Sequence, residues 1–192
     1  ADIRIPGASA ADAAQAMTAL AKGGLSVDQS MAAARGTLQL AAAAEIQNAE
    51  AATITADALN AFGLKGKDAG KVADLLAASA NASTAEITDM AQSLQQSSAV
   101  AKMAGVSIED TVTALARLAN AGIKGSDAGT SLKTMLMRLQ APIGSGAKAI
   151  REYNIQLRDQ SGNLKSLPAL AERDGKGFDG RLERLQRALE PL

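Results

Sequence analysis

A chain of 192 residues (19.4 kDa) with 20 Lys and Arg against 20 Asp and Glu carries no formal net charge, and it contains no His, Cys or Trp. Those absences exclude disulfides, thiolate nucleophiles, imidazole bases and the usual zinc ligand sets, and the balanced charge argues against bulk nucleic-acid binding, which rests on excess Lys and Arg. Apolar residues make up 47% of the chain but aromatics only 2%, and 44 residues are Ala, a composition that favours helix and excludes an all-β fold.

The chain opens on Ala1 without a Met or a signal sequence, which predicts a fragment or a processed piece. Caps and stops then mark the helices. Ser9 precedes Asp12 by three residues, Ser26 precedes Gln29, Ser83 precedes Glu86 and Ser107 precedes Asp110. In each pair the hydroxyl can accept from an orphan amide while the later side chain reaches back to the cap. Gly23–Gly24, Gly63, Gly105 and Gly122 each follow an apolar run, where a left-handed residue ends a helix. Helices are expected at 10–22, 27–44, 46–62, 68–80, 84–103, 108–120 and 127–140. Their short connections imply antiparallel neighbours. Met31 to Ala44 is the most apolar stretch, yet it is too short to span a bilayer and contains Arg35.

Ile108, Val112, Leu115 and Leu118 recur at helical steps, as do Leu132, Met135–Leu136 and Leu139. The many Ala seams imply close helix approach over thin cores, because each buried methyl contributes only about 0.8 kcal/mol. One stretch is duplicated. Gly63-Leu64-Lys65-Gly66-Lys67-Asp68-Ala69-Gly70 returns 59 residues later as Gly122-Ile123-Lys124-Gly125-Ser126-Asp127-Ala128-Gly129. A weaker echo joins Gly24-Leu25-Ser26-Val27-Asp28 to Gly105-Val106-Ser107-Ile108-Glu109. Each reads as a reusable helix–turn–helix connector: Gly ends a helix, the aliphatic residue plugs the core, and an acid enters the next first turn. A phosphate cradle would need a preceding strand and more glycine. The candidate signature is therefore structural: Gly63, Leu64, Lys65, Gly66, Asp68, Gly70, Gly105, Ser107, Gly122, Ile123, Lys124, Gly125, Asp127, Gly129 and Thr130.

After Leu139 the texture changes. Ala141 to Gly146 is a breaker cluster, and a short helix is expected at 147–153. A β-hairpin is expected over 154–165, with its turn at Asp159–Gly162. Ser166 caps a further short helix with Pro168 in its first turn. From Glu172 the sequence is charged and glycine-interrupted, and Gly180 to Glu190 reads as an amphipathic helix with Leu182, Leu185 and Leu189 on one face. The division is thus a helical array at 1–140, a helix-and-hairpin appendage at 141–171 and a charged tail at 172–192.

Several of these runs together resemble the core region of phage tail tape-measure proteins. They are Asp57 to Leu64, Val72 to Leu76, Ala104 to Glu109, Leu115 to Leu132, Leu136 to Leu139 and the turn Asp159 to Asn163. The Asn120 to Leu132 stretch is the most specific, and the similarity covers about 20–170. The resemblance implies a structural component in the lumen of a tail tube, made in the bacterial cytoplasm, that helps to set tail length and leaves ahead of the genome. It implies contacts with the tail tube, tail assembly chaperone and tail-tip proteins, a homo-oligomer, membrane contact only during ejection, and no specific nucleic acid. A single helix of this length would reach only about 290 Å, and the turns fold it back, so the chain is expected to be a core region rather than the whole ruler.

Neither cofactor, metal site nor catalysis is expected. An enzyme would need paired carboxylates across a cleft, and Glu109–Asp110 or Asp57–Asp74 read better as first-turn and surface charges. Lys65, Lys67, Lys124, Lys148, Arg151 and Arg158 read as solvated positions rather than as a DNA-binding patch. The alternative is a membrane-active or partner-binding helical module, against which the small apolar faces and the lack of Trp weigh.

Overall fold

A computed structural model describes residues 9–152, 156–160, 162, 164 and 165. Among them the chain is all-helical: α1 (Ala10–Lys22), α2 (Val27–Ala44), α3 (Asn48–Phe62), a 3₁₀ turn (Gly66–Asp68), α4 (Ala69–Asn81), α5 (Ile87–Met103), α6 (Ile108–Asn120), α7 (Gly125–Gln140) and α8 (Gly144–Glu152).

The helix starts follow local chemistry. Ser9 and Ser26 accept from the amides of Asp12 and Gln29, and each later side chain returns to the cap amide. Ser107 accepts from Asp110 N–H at 3.0 Å. The expected start at Ser83–Thr84 is a correction. Helix α5 begins at Ile87, capped at Glu86, whose amide donates to Asp89 Oδ2 at 3.2 Å. Ser83 and Thr84 serve the preceding turn: Ser83 Oγ accepts from Ala85 N–H, and Thr84 Oγ1 donates to Ala119 O across the fold.

Helix α3 also starts later than expected, at Asn48. Glu45 takes the left-handed conformation (φ 53°) that ends α2, and Ile46 N–H donates back to Ala41 O. A left-handed Glu has no compositional marker, which is why the sequence placed this boundary poorly. Helices α7 and α8 each start before the expected residue, at Gly125 and Gly144.

One stop motif closes five helices. The amides of Leu25, Ile46, Leu64, Val106 and Ile123 each donate to a carbonyl five residues back, at 2.8–3.2 Å. This is the six-to-one bond of a Schellman stop; Leu25 and Val106 are buried behind it and Ile46 and Leu64 half-buried, whereas Ile123, expected to plug the core, is exposed.

The core is one continuous cluster running from Leu20 in α1 to Leu136 in α7, built of Ala with Leu20, Leu40, Leu59, Val72, Leu76, Met90, Leu115 and Leu132. The most extensive packing joins alternate helices, α5 with α7 and α2 with α4, rather than only consecutive ones. The chain thus forms two three-helix units on the same plan, α2–α3–α4 and α5–α6–α7, with α1 packed on α2 and α3 as α4 packs on α5 and α6.

The expected β-hairpin over 154–165 is a single antiparallel bridge between Arg158 and Leu164 among the described residues. Its turn is as read: Gly162 N–H donates to Asp159 O, and Gly162 is left-handed (φ 83°). Leu164 is buried in the core, and Arg158 donates to Gln140 O at 3.1 Å, which fastens this loop to the end of α7. The helices expected after Ser166 and at 180–190 lie outside the described residues.

Candidate functional site

The duplicated turn is where sequence conveys most about geometry. In its first copy Gly63 is left-handed (φ 66°), and Leu64 N–H closes the stop on Leu59 O at 2.8 Å. The half-buried Leu64 packs against the core. Lys65 N–H donates to Asp68 Oδ2 at 2.9 Å, so a carboxylate of the chain already holds the amide that an anion cradle would have to offer. Gly66 is buried against α2; a Cβ there would lie 2.2 Å from Gln29 O. Gly70 enters α4 beneath α2, and a Cβ built on Gly36 would lie 2.4 Å from Gly70 N.

The second copy repeats this with different anchors. Gly122 is left-handed (φ 88°), and Ile123 N–H donates to Leu118 O at 2.9 Å. Lys124 Nζ donates to Thr84 O. Gly125 (φ 55°) presents its carbonyl to buried Ser93 Oγ at 2.7 Å. A Cβ on Gly129 would stand 2.4 Å from Ser93 O. Asp127 and Thr130 face solvent on α7. The copies rest on different helices, α2 and α5, so each signature serves its own unit. Gly105 (φ 74°) and Ser107 do the same for the α5–α6 turn.

Two asparagines outside the expected signature complete the joints. Asn60 Nδ2 donates to Gly23 O at 2.9 Å, tying the end of α3 to the α1–α2 turn. Asn120 Nδ2 donates to Ala82 O and its Oδ1 accepts from Thr84 N–H, tying the end of α6 to the α4–α5 turn. Their signal was present: an Asn two or three residues before each repeated glycine stop.

Two of the four carboxylates weighed for catalysis, Glu109 and Asp57, have structural partners. Glu109 forms an ion pair with Lys71, and that hydrogen bond, with one from its own backbone amide, holds the carboxyl below its ordinary range. Asp57 accepts from Gln95 Nε2 at 3.0 Å across a groove between α3 and α5 that Ile54, Ala58 and Leu94 help to line. Among the described residues no acidic cluster could hold a metal ion, and no helix is long and apolar enough to cross a membrane.

A family model described as phage-related minor tail protein matches residues 2–188, beyond the expected 20–170 at both ends. The chain is 39% identical over 156 residues to a tape measure protein of Pneumococcus phage Dp-1, covering 81% of this chain and 14% of the relative. It is 35% identical over 182 residues to a probable tape measure protein of Escherichia phage P2, covering 94% of this chain and 22% of the relative. The chain thus spans less than a quarter of either relative. No solved structure matches it. With the family model running from end to end of the helical array, the chain belongs to the phage-related minor tail protein family.

Proposed function

We propose that the chain is the compact core region of a tape measure protein. It sits in the lumen of the tail tube, helps to set tail length and leaves ahead of the genome. The observation that carries this reading is the similarity to two tape measure proteins over 81% and 94% of the chain.

Physics supports a structural role. A ruler needs fixed contacts and a surface compatible with a shared tube, and no reacting group. The array offers a balanced charge, and its Ala-lined seams contribute little per contact, so rearrangement during ejection costs little. Neighbouring helices run antiparallel in this reading, and the exposed faces meet tube subunits, the assembly chaperone, tip proteins or further copies of the chain. The remainder of a long ruler lies in sequence beyond this core.

Immunoblotting of purified tails, before and after DNA discharge, tests the reading. The chain is expected in intact tails and absent from discharged ones. A chain found only outside tails, or retained after discharge, overturns it.

A further inference from the structure

Contacts between helices sort their ends onto two opposite faces of the array. On one face Asn48 at the start of α3 donates to Asp12 at the start of α1, and Thr84, just before α5, meets Ala119 and Asn120 at the end of α6. Helices α3 and α5 keep step along their length, Gln95 reaching Asp57 and Lys102 reaching Phe62 O, so these corners share one face. On the other face Asn60 joins the end of α3 to the end of α1, Gln29 of α2 abuts Gly66, and Lys71 pairs with Glu109. Helix α7 follows α5, with Gly125 beside Asp89 and Gly129 against Ser93, so it starts on the first face and ends on the second.

The faces carry opposite charge. The first exposes Glu45, Glu50, Glu86 and Asp127, with Asp12 and Asp89 half-buried among them, against Arg117 and Lys124. The second exposes Lys22, Lys65, Lys67, Lys71, Lys102 and Arg138 against Asp28; its other acids, Asp68, Glu109 and Asp110, are half-buried. Neutralisation of helix dipoles does not account for this. Lys65, Lys67 and Lys71 stand where α4 begins and Glu45 caps the end of α2, the termini at which the dipole disfavours those signs. The basic face also carries Val27 and Met103, with Ile143 just beyond α7; at 73–79% they are the most exposed large apolar side chains among the described residues.

We propose that the basic face of one copy docks on the acidic face of a second, so that copies join end to end. Charge selects this pairing, because two basic or two acidic faces brought together repel, whereas unlike faces attract. Size permits it. The ends of seven helices, each about 10–12 Å across, offer roughly 700 Å², close to the roughly 800 Å² per partner of a lasting interface. The two surfaces differ, so the contact leaves a free face at each end and the assembly grows with concentration. This goes beyond the tail reading and does not rest on it.

Sedimentation equilibrium of the full chain over a concentration series tests the proposal. Wild type is expected to gain mass steadily with concentration in dilute buffer, and to associate at least about tenfold more weakly in 0.5 M salt, where charges are screened. Two charge-reversed variants then separate the faces. Lys22→Glu with Lys67→Glu removes the basic face, Glu45→Lys with Glu50→Lys removes the acidic one, and each variant alone is expected to remain monomeric. Mixed in equal amounts they are expected to associate again, because each supplies the intact face that the other lacks. A wild type that stays monomeric overturns the proposal, as does a dimer that grows no further or association indifferent to salt. Variants that fail to associate when mixed, with their helical circular dichroism intact, also overturn it. So does a monomeric wild type whose Lys22 and Lys67 bind polyglutamate, which would assign the basic face to a foreign acidic partner.

Discussion

Where α2 meets α4 in the first unit, Gly36 faces Gly70; where α5 meets α7 in the second, Gln96 faces Gly129. The contact is kept and its residues are not. The same holds 60 residues apart inside the first helices. Thr37 Oγ1 donates to Ala33 O in α2, and Ser97 Oγ donates to Ser93 O in α5, both hydroxyls fully buried. The units differ most where polarity goes unanswered. Among the described residues, the buried hydroxyls of Ser30 and Thr55 have no partner, while the corresponding residues of the second unit are Met90 and Leu115, equally buried and apolar. What is duplicated is a set of stops, joints and contact points. Side-chain chemistry between them has drifted, and the first unit retains two uncompensated polar groups.

The comparison is broken most forcefully at the core. Leu76→Ala, at a fully buried site, is expected to destabilise the chain by about 2–5 kcal/mol, whereas Met135→Ala on the corresponding open face costs under about 1 kcal/mol; urea unfolding of both variants measures the gap. Glycine substitutions come next. Gly36→Ala and Gly129→Ala drive a Cβ into backbone atoms and are expected to cost about 1–3 kcal/mol. Gly70→Ala meets nothing within 4 Å and is expected to stabilise by about 0.5–1 kcal/mol, the helical advantage of Ala over Gly. Opposite signs at Gly70 and Gly129, which occupy the same place in the repeat, sharpen the point that one partner per contact must be small. Thr55→Val, which imitates the apolar second unit at this position, removes an orphaned hydroxyl while keeping shape and is expected to gain up to about 1 kcal/mol.

The sequence announced the helices well, because capping side chains and left-handed glycines act within four residues. Helices α1, α2 and α6 fall where Ser9, Ser26 and Ser107 placed their starts. It failed where a distant partner decides. Ser83 had the spacing of a cap, but Thr84 is drawn across to Ala119 and Asn120, which delays α5. The 59-residue turn repeat was legible, and the three-helix repeat around it was not. Its matched positions pair Ser with Met and Thr with Leu, and only burial reveals their equivalence. Asn60 and Asn120 were visible as residues but not as joints, since their acceptors lie 37 and 38 residues away.

The smallest expected effect concerns charge between the units. Lys71 of α4 pairs with Glu109 of α6, and its counterpart on α7 is Thr130, where no such pair is made. The hydrogen bond from Lys71 lowers the Glu109 carboxyl, and the same bond raises the Lys71 ammonium. A depressed acid contributes fully above its unfolded value, near about 4.3, and loses that contribution as pH falls through its lower folded value. A raised base contributes fully below about 10.4 and loses it as pH climbs through its higher folded value. The pair therefore acts across the window between these limits. Wild type is expected to exceed Glu109→Gln slightly in denaturation midpoint at pH 7, with the two curves converging below pH 4. Both groups are solvent-accessible, so 0.5 M salt is expected to erase most of the difference at pH 7. A difference that survives both salt and acid would show that Glu109 acts through packing rather than charge, and that the joint between the units resembles the covered α4 seam more than an exposed ion pair.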